Sequence, residues 1–287
     1  MKTMQGLVRL KRDFDAALER DLMRFTGESD LSEVLDHALN GAGKRVRPVL
    51  VLAVAEALGN GLDVMPAAIG LEYFHTSTLI IDDLPCMDDE RERRGREALH
   101  RAFSEGKALL ASYGLIAEGF GKIYANRLVL LQEGRFAKEA DLRCSLALEC
   151  AAESSGFKGA TLGQYLDMYE PCMSEEVYEH VALLKTVTLF SGSFVLGWLF
   201  GGGDIDKTRQ MKDLAFHFGL AFQIRDDILD QEEDLEKGKS FNVALQKGER
   251  AARAEFFGHI DDFTLLAKEC GIFSGVFEEV LSLLTQF

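Results

Sequence analysis

Two short acidic runs hold the residues best suited to chemistry. The first reads Asp82-Asp83-Leu84-Pro85-Cys86-Met87-Asp88-Asp89 and the second Gln223-Ile224-Arg225-Asp226-Asp227-Ile228-Leu229-Asp230. Each follows strongly apolar sequence, Leu79-Ile80-Ile81 in one case and Phe218 to Phe222 in the other. Carboxylates crowded beside apolar residues raise one another's pKa unless cations intervene. Oxygen donors suit hard ions, and Mg²⁺ keeps waters while bridging to phosphates. A solvated acidic face is the plain alternative for either run alone. Two such runs facing one cavity would hold a diphosphate through several metal ions.

Spacing predicts how the runs are presented. Glu72, His75, Leu79 and Asp82 recur at helical intervals, so His75 faces the same way as Asp82. Pro85 ends or bends that helix and lets Asp88 or Asp89 fold back toward Asp82. Gln223, Asp226, Asp227 and Asp230 share one helical stripe, a carboxylate ladder. Leu214, Phe218, Phe222 and Leu229 mark another stripe, expected to be buried.

Cations accompany the acids. Gly41-Ala42-Gly43-Lys44-Arg45-Val46-Arg47-Pro48 sets three of them at the start of an apolar helix, an end that favours anions. The spacing is not that of a Walker-type phosphate loop. Arg91, Arg93, Arg94 and Arg96 follow the first acidic run, either as charge compensation or as forks for phosphate oxygens. Lys185-Thr186 is expected to open an uncharged glycine-rich helix, and Lys239 follows the second acidic run.

The elements that must position these groups are helical. Val49 to Leu58 is apolar nearly all round, which predicts a buried helix. Alternating runs bounded by hairpin turns are absent, so no sheet is expected. Breaks near Glu28–Asp30, Asn40–Gly43, Gly59–Asp63, Pro85, Ser154–Gly159, Glu170–Ser174, Gly201–Asp204 and Glu236–Gly238 divide the chain. The expectation is an all-α, single-domain bundle over residues 1–287, with roughly ten or more helices around a central cavity.

Composition narrows the class. The net charge of −15 argues against nucleic acid as a partner, which needs a basic face. The five cysteines are scattered without a CxxC, which fits free thiols and a cytoplasmic location. The stretch from Thr186 to Gly203 holds five glycines, and it reads as a buried helix rather than a transmembrane segment. The N-terminus lacks the apolar core of a signal peptide.

Taken together, residues 30–245 resemble the trans-isoprenyl diphosphate synthases, specifically the bacterial-type farnesyl and geranylgeranyl diphosphate synthases. The matching motifs are Gly43 to Pro48, Asp82-Asp83 with Asp88, Arg93-Arg94-Gly95, Gly163-Gln164 with Asp167, Lys185-Thr186, Gln223 with Asp226, Asp227 and Asp230, and Gly238-Lys239-Ser240. The resemblance implies that Asp82, Asp83, Asp88, Asp226, Asp227 and Asp230 form the metal site, holding about three Mg²⁺ ions with substrate bound. It assigns Arg93, Lys185, Gln223 and Lys239 to an allylic diphosphate (dimethylallyl, geranyl or farnesyl). Lys44, Arg47, His75 and Arg94 would take isopentenyl diphosphate, and Thr186 with Gln164 would line the reaction centre. It also implies a homodimer. The chain departs from the family at Ile81, where a histidine is usual, at Glu97-Ala98 and at Ser112-Tyr113.

Product length should depend on the helix leading to Asp82. Thr78 and Ser77 lie about 6–7.5 Å before it at 1.5 Å per residue. Both are small, which predicts an open floor and a twenty-carbon product in preference to fifteen. Tyr113 is the residue that could block the cavity from the next helix. Two rivals share parts of the pattern. A class I terpene cyclase would carry Asn and Ser/Thr with Glu in its second motif. A non-catalytic subunit of a heteromeric synthase would be expected to lose an aspartate motif.

Overall fold

The computed structural model describes residues 4–27, 29–170, 174–236 and 242–287. Its helices are, in chain order, α1 (Gln5–Leu22), α2 (Leu31–Leu39), α3 (Val46–Leu58), α4 (Met65–Asp82), α5 (Leu99–Ala102) and α6 (Glu105–Glu133). There follow α7 (Ala140–Ser155), α8 (Ala160–Tyr169), α9 (Glu175–Ala182), α10 (Thr188–Phe200) and α11 (Thr208–Leu229). The last are α12 (Gln231–Glu236), α13 (Val243–Lys247), α14 (Glu249–Glu269) and α15 (Gly275–Leu284). The all-α expectation holds.

Helices α3 and α10 form the centre because they are apolar on every side; Val49 to Ala55 and Phe194 to Phe200 are all buried. Phe190 and Phe194 of α10 meet Phe218 of α11, with Phe263 of α14 and Phe277 of α15 behind them. Helices α4 and α6 pack most extensively, and their backbones touch at Gly70 and Gly119. A Cβ on Gly70 would sit 2.9 Å from the Gly119 carbonyl oxygen, so any side chain there would push the pair apart. One helical run, Glu176–Phe200, is long and apolar enough to cross a membrane, but 72% of that window is buried within the bundle.

Four expectations need correction. A two-stranded ribbon exists after all, β1 (Glu92–Arg93) with β2 (Arg96–Glu97), closed by Arg94 and Gly95 at φ +54° and +73°. Two positive φ values make the tight hairpin whose twist suits paired strands. It was missed because each strand has only two residues. Second, Lys185-Thr186 does not open a helix. It lies in a π-helical turn, Leu183–Val187, that joins α9 to α10. Third, Tyr113 falls inside α6 and is 70% exposed, so it does not block the cavity. Fourth, Leu229 is 48% exposed at the end of α11, outside the buried stripe.

Candidate active site

A cavity of about 980 Å³ opens where the C-terminal end of α4 meets α8, the π turn and α11. Asp82 lines it from one side, Gln223 and Asp227 from the other, and Lys185 and Thr186 stand between. Both acidic runs therefore address one hollow. Its walls include Leu79, Ile81, Met87, Ile116 and Leu189. Ser77 and Thr78 also line it, as does Ser112 from α6. The Ser77 hydroxyl donates to the Phe74 carbonyl and the Ser112 hydroxyl to the Ser77 carbonyl, so both small side chains turn back on the backbone.

The first run folds as Pro85 requires. Helix α4 stops at Asp82, and the amide of Asp88 donates to the Asp82 carbonyl at 2.9 Å. Gln164 of α8 donates to Asp88 at 3.1 Å. Burial pushes the Asp82 carboxyl up to about 6; Lys185 opposes this, and Asp88 and Asp83 reinforce it. Asp83 turns elsewhere. It is 3% exposed, accepts from Arg93 Nε at 2.9 Å, and faces a smaller pocket with His37 and Arg94. In this structure Asp83 and Arg93 neutralise each other, apart from the large cavity.

The second run splits in the same way. Asp226 is pushed up to about 6 by burial and by Asp230, with Lys44 opposing. Asp230 caps α11 and is exposed. Asp227 is a buried anchor. Its Oδ1 accepts from Gln223 at 2.9 Å, and its Oδ2 accepts from the Val243 amide at 2.9 Å and from the Tyr178 hydroxyl. Asn242 donates to the Asp227 carbonyl at 2.7 Å while capping α13. Thr186 in turn donates to Gln223 Oε1 at 2.9 Å. This chain ties the π turn to the second acidic run. Lys185 pairs with Asp167 at 2.6 Å. The turn sits close on α8, because a Cβ on Gly163 would lie 2.7 Å from the Lys185 nitrogen. Lys239 lies outside the described residues.

A second cavity of about 320 Å³ adjoins the first, sharing Arg47 and His75 with it. Lys44, Arg45 and Arg94 add to its cationic lining, and Phe222 supplies an apolar wall. The four residues implied to take isopentenyl diphosphate thus come together. Arg47 stacks over Phe190, 4.6 Å from the ring centre, and its Nη1 lies 3.3 Å from His75 Nε2. Burial brings Arg47 down to about 10. Burial, with Arg47 and Arg94 adding to it, holds His75 well below its ordinary value and therefore neutral. Arg47 Nε, His75 Nδ1 and Gln164 Oε1 are buried without a hydrogen-bond partner among the described residues. Buried polar atoms of this kind call for a ligand.

Two residues to which the sequence analysis gave no site role hold this pocket in shape. Arg45, at φ +54°, donates to Glu72 at 2.6 Å, to Asp15 at 2.9 Å and to the Leu39 carbonyl. Glu72 also lies 3.5 Å from Arg94. Of the three cations at Gly41–Pro48, Arg45 is thus structural.

The donor set fits divalent magnesium. Asp82, Asp88 and Asp226 offer only oxygens, and burial with the neighbouring carboxylates of each run raises Asp82 and Asp226 to values that an added cation would relieve.

A family model described as Polyprenyl synthetase matches residues 28–252. A farnesyl diphosphate synthase of Geobacillus stearothermophilus is 37% identical over 81% of this chain and 77% of its own length. A chloroplastic geranylgeranyl pyrophosphate synthase of Arabidopsis thaliana is 36% identical over 76% of this chain, which spans 61% of that protein. Among solved structures, a geranyltransferase from Legionella pneumophila superposes with a TM-score of 0.82 at 26% identity, covering 98% of this chain and 95% of the other.

Proposed function

This chain belongs to the polyprenyl synthetase family, and from that premise we propose that it is a Mg²⁺-dependent short-chain trans-isoprenyl diphosphate synthase. It joins isopentenyl diphosphate to an allylic diphosphate (dimethylallyl, geranyl or farnesyl) and releases linear products of fifteen to twenty carbons, the longer favoured. The observation that carries this reading is the pair of adjoining cavities, one lined by acids from both runs and the other by Lys44, Arg47, His75 and Arg94.

Asp82, Asp88 and Asp226 would hold the magnesium ions. When bound, these ions supply charge stabilisation to a departing diphosphate. The protein's own groups do the rest. Lys185, between Asp167 and Asp82, can exchange a carboxylate for a diphosphate oxygen. Gln223 and Thr186 are fixed to each other and to Asp227, so they meet the allylic carbon without reorganising. Arg47 and Arg94 seat the second diphosphate, and neutral His75 donates or accepts there without adding charge. The apolar walls exclude water, which would trap an allylic cation. The allylic C–O bond breaks and the double bond of isopentenyl diphosphate attacks. The released pyrophosphate then takes the proton lost from the adjacent carbon. Ser77, Thr78 and Ser112 leave the floor open, which supports the twenty-carbon product.

The same reading includes a homodimer and a cytoplasmic location. A stripe of exposed apolar residues on α6, Leu110, Tyr113, Tyr124, Leu128 and Leu131, supports the dimer. The free thiols of Cys86, Cys144, Cys150 and Cys270 suit a reducing compartment. Incubation with Mg²⁺, isopentenyl diphosphate and each allylic diphosphate tests the activity. Linear prenyl diphosphates are expected. Cyclic hydrocarbon, or no turnover without another protein, would overturn the assignment.

A further inference from the structure

A cluster on the outside of the α11–α14 pair has no part in the chemistry above. His217 lies nine residues before Asp226 on α11, roughly two and a half turns away, and so on the opposite face of that helix. His259 and Asp262 lie one turn apart on α14. The two imidazoles meet Nδ1 to Nδ1 at 3.1 Å, and His217 Nδ1 lies 3.6 Å from Asp262 Oδ2. One donor atom from each of the three residues falls within 4.8 Å of the others.

These separations are those of ligands around a small ion. Tetrahedral bonds of about 2.0–2.1 Å place donor atoms about 3.3 Å apart, between the two distances observed. Phe216 packs edge-on to both rings, with centroids at 5.3 and 6.1 Å, and restricts their rotation. Burial and the neighbouring His217 hold His259 below its ordinary value, against Glu255 and Asp262, so its imidazole is neutral and able to ligate. Glu255, one turn before His259, is paired with Lys247 at 3.2 Å. Two nitrogens and a carboxylate suit zinc and its neighbours, not magnesium.

We propose that His217, His259 and Asp262 bind one divalent transition-metal ion of the zinc class, which fastens α11 to α14 from outside the catalytic cavity. The site holds the helix that carries Asp226 without touching substrate. It stands whether or not the activity proposed above is correct.

The test uses the full chain without a histidine tag, in excess Mg²⁺ to occupy the oxygen-only acids, with ZnCl₂ added. Side-chain nitrogen–proton NMR correlations should show both histidines fixed as Nε2–H tautomers at one equivalent of zinc. The melting temperature should rise by roughly 5 °C at free zinc a hundredfold above its Kd. His259→Gln should lose both effects. The exposed change Asp262→Asn, which leaves packing intact, should weaken zinc by at least about tenfold. Prenyl transfer should persist in both variants. Histidine signals that ignore one equivalent of zinc would overturn the site. So would an undiminished thermal shift in either variant, because the metal would then be held elsewhere.

Discussion

Replacing Glu72 by Gln should loosen the whole protein and, selectively, one substrate pocket. Glu72 is 1% exposed and accepts from Arg45, itself 5% exposed, at 2.6 Å. Glutamine keeps the shape but removes the charge. Arg45 would retain Asp15, and Arg94 would lose the carboxylate at 3.5 Å. Breaking one side of a buried ion pair costs about 3–5 kcal/mol. Because Asp15 remains, the lower end applies, about 3 kcal/mol, or a fall in melting temperature of roughly 5 °C for a chain this size. Arg94 would then sample other positions, and losing one charge-assisted contact of about 1.5 kcal/mol raises the KM for isopentenyl diphosphate about tenfold. The KM for the allylic diphosphate should stay within about twofold, since Glu72 does not line the larger cavity. Thermal denaturation and steady-state kinetics with each substrate varied read both effects. A fall of under about 2 °C, or equal rises in both KM values, would refute the reasoning.

Three further outcomes follow from the same geometry. Ser77→Phe fills the floor of the larger cavity, so the product distribution by chromatography should shift to shorter chains; an unchanged distribution would contradict the open floor. Asp226 is raised from 3.8 to about 6 in the folded protein, so the stability it contributes is present below 3.8 and lost as pH rises through 6. Metal-free Asp226→Asn should therefore melt above the wild type at about pH 7.5 while losing activity, and a lower melting point would count against it. Leu110→Glu with Tyr113→Lys places charges on the exposed α6 stripe and should give a monomer by sedimentation; a dimer that persists would move the interface elsewhere.

Much of the site was legible because helical spacing and chain breakage are local. Pro85 after an aspartate pair foretold the fold-back of Asp88, and the apolar run from Val49 foretold a buried α3. The gathering of Lys44, Arg47, His75 and Arg94 came from the resemblance, since no local rule links residues so far apart in sequence. Other features depend on which partner each charge meets. Asp82 and Asp83 look alike in sequence, yet one faces the cavity and the other meets Arg93, because Asp82 ends α4 and Asp83, its cap, points about 100° away around the helix axis. Arg45 resembles Arg47 until its left-handed backbone aims it at Glu72. The π turn at Lys185 leaves no compositional trace; it arises where α8, α11 and the turn pack together over Gly163 and Gly219. Tyr178 and Asn242 gave no signal, because their role is defined only by Asp227.

The central claim is that the two acidic runs grip one diphosphate. A crystal soaked with Mn²⁺ and inorganic pyrophosphate, with the metal located by anomalous scattering, tests it directly. The account predicts metal peaks at Asp82 and Asp88 and at Asp226, all sharing oxygens of a single pyrophosphate in the larger cavity. Metal confined to one run, or pyrophosphate bound outside that cavity, would contradict it.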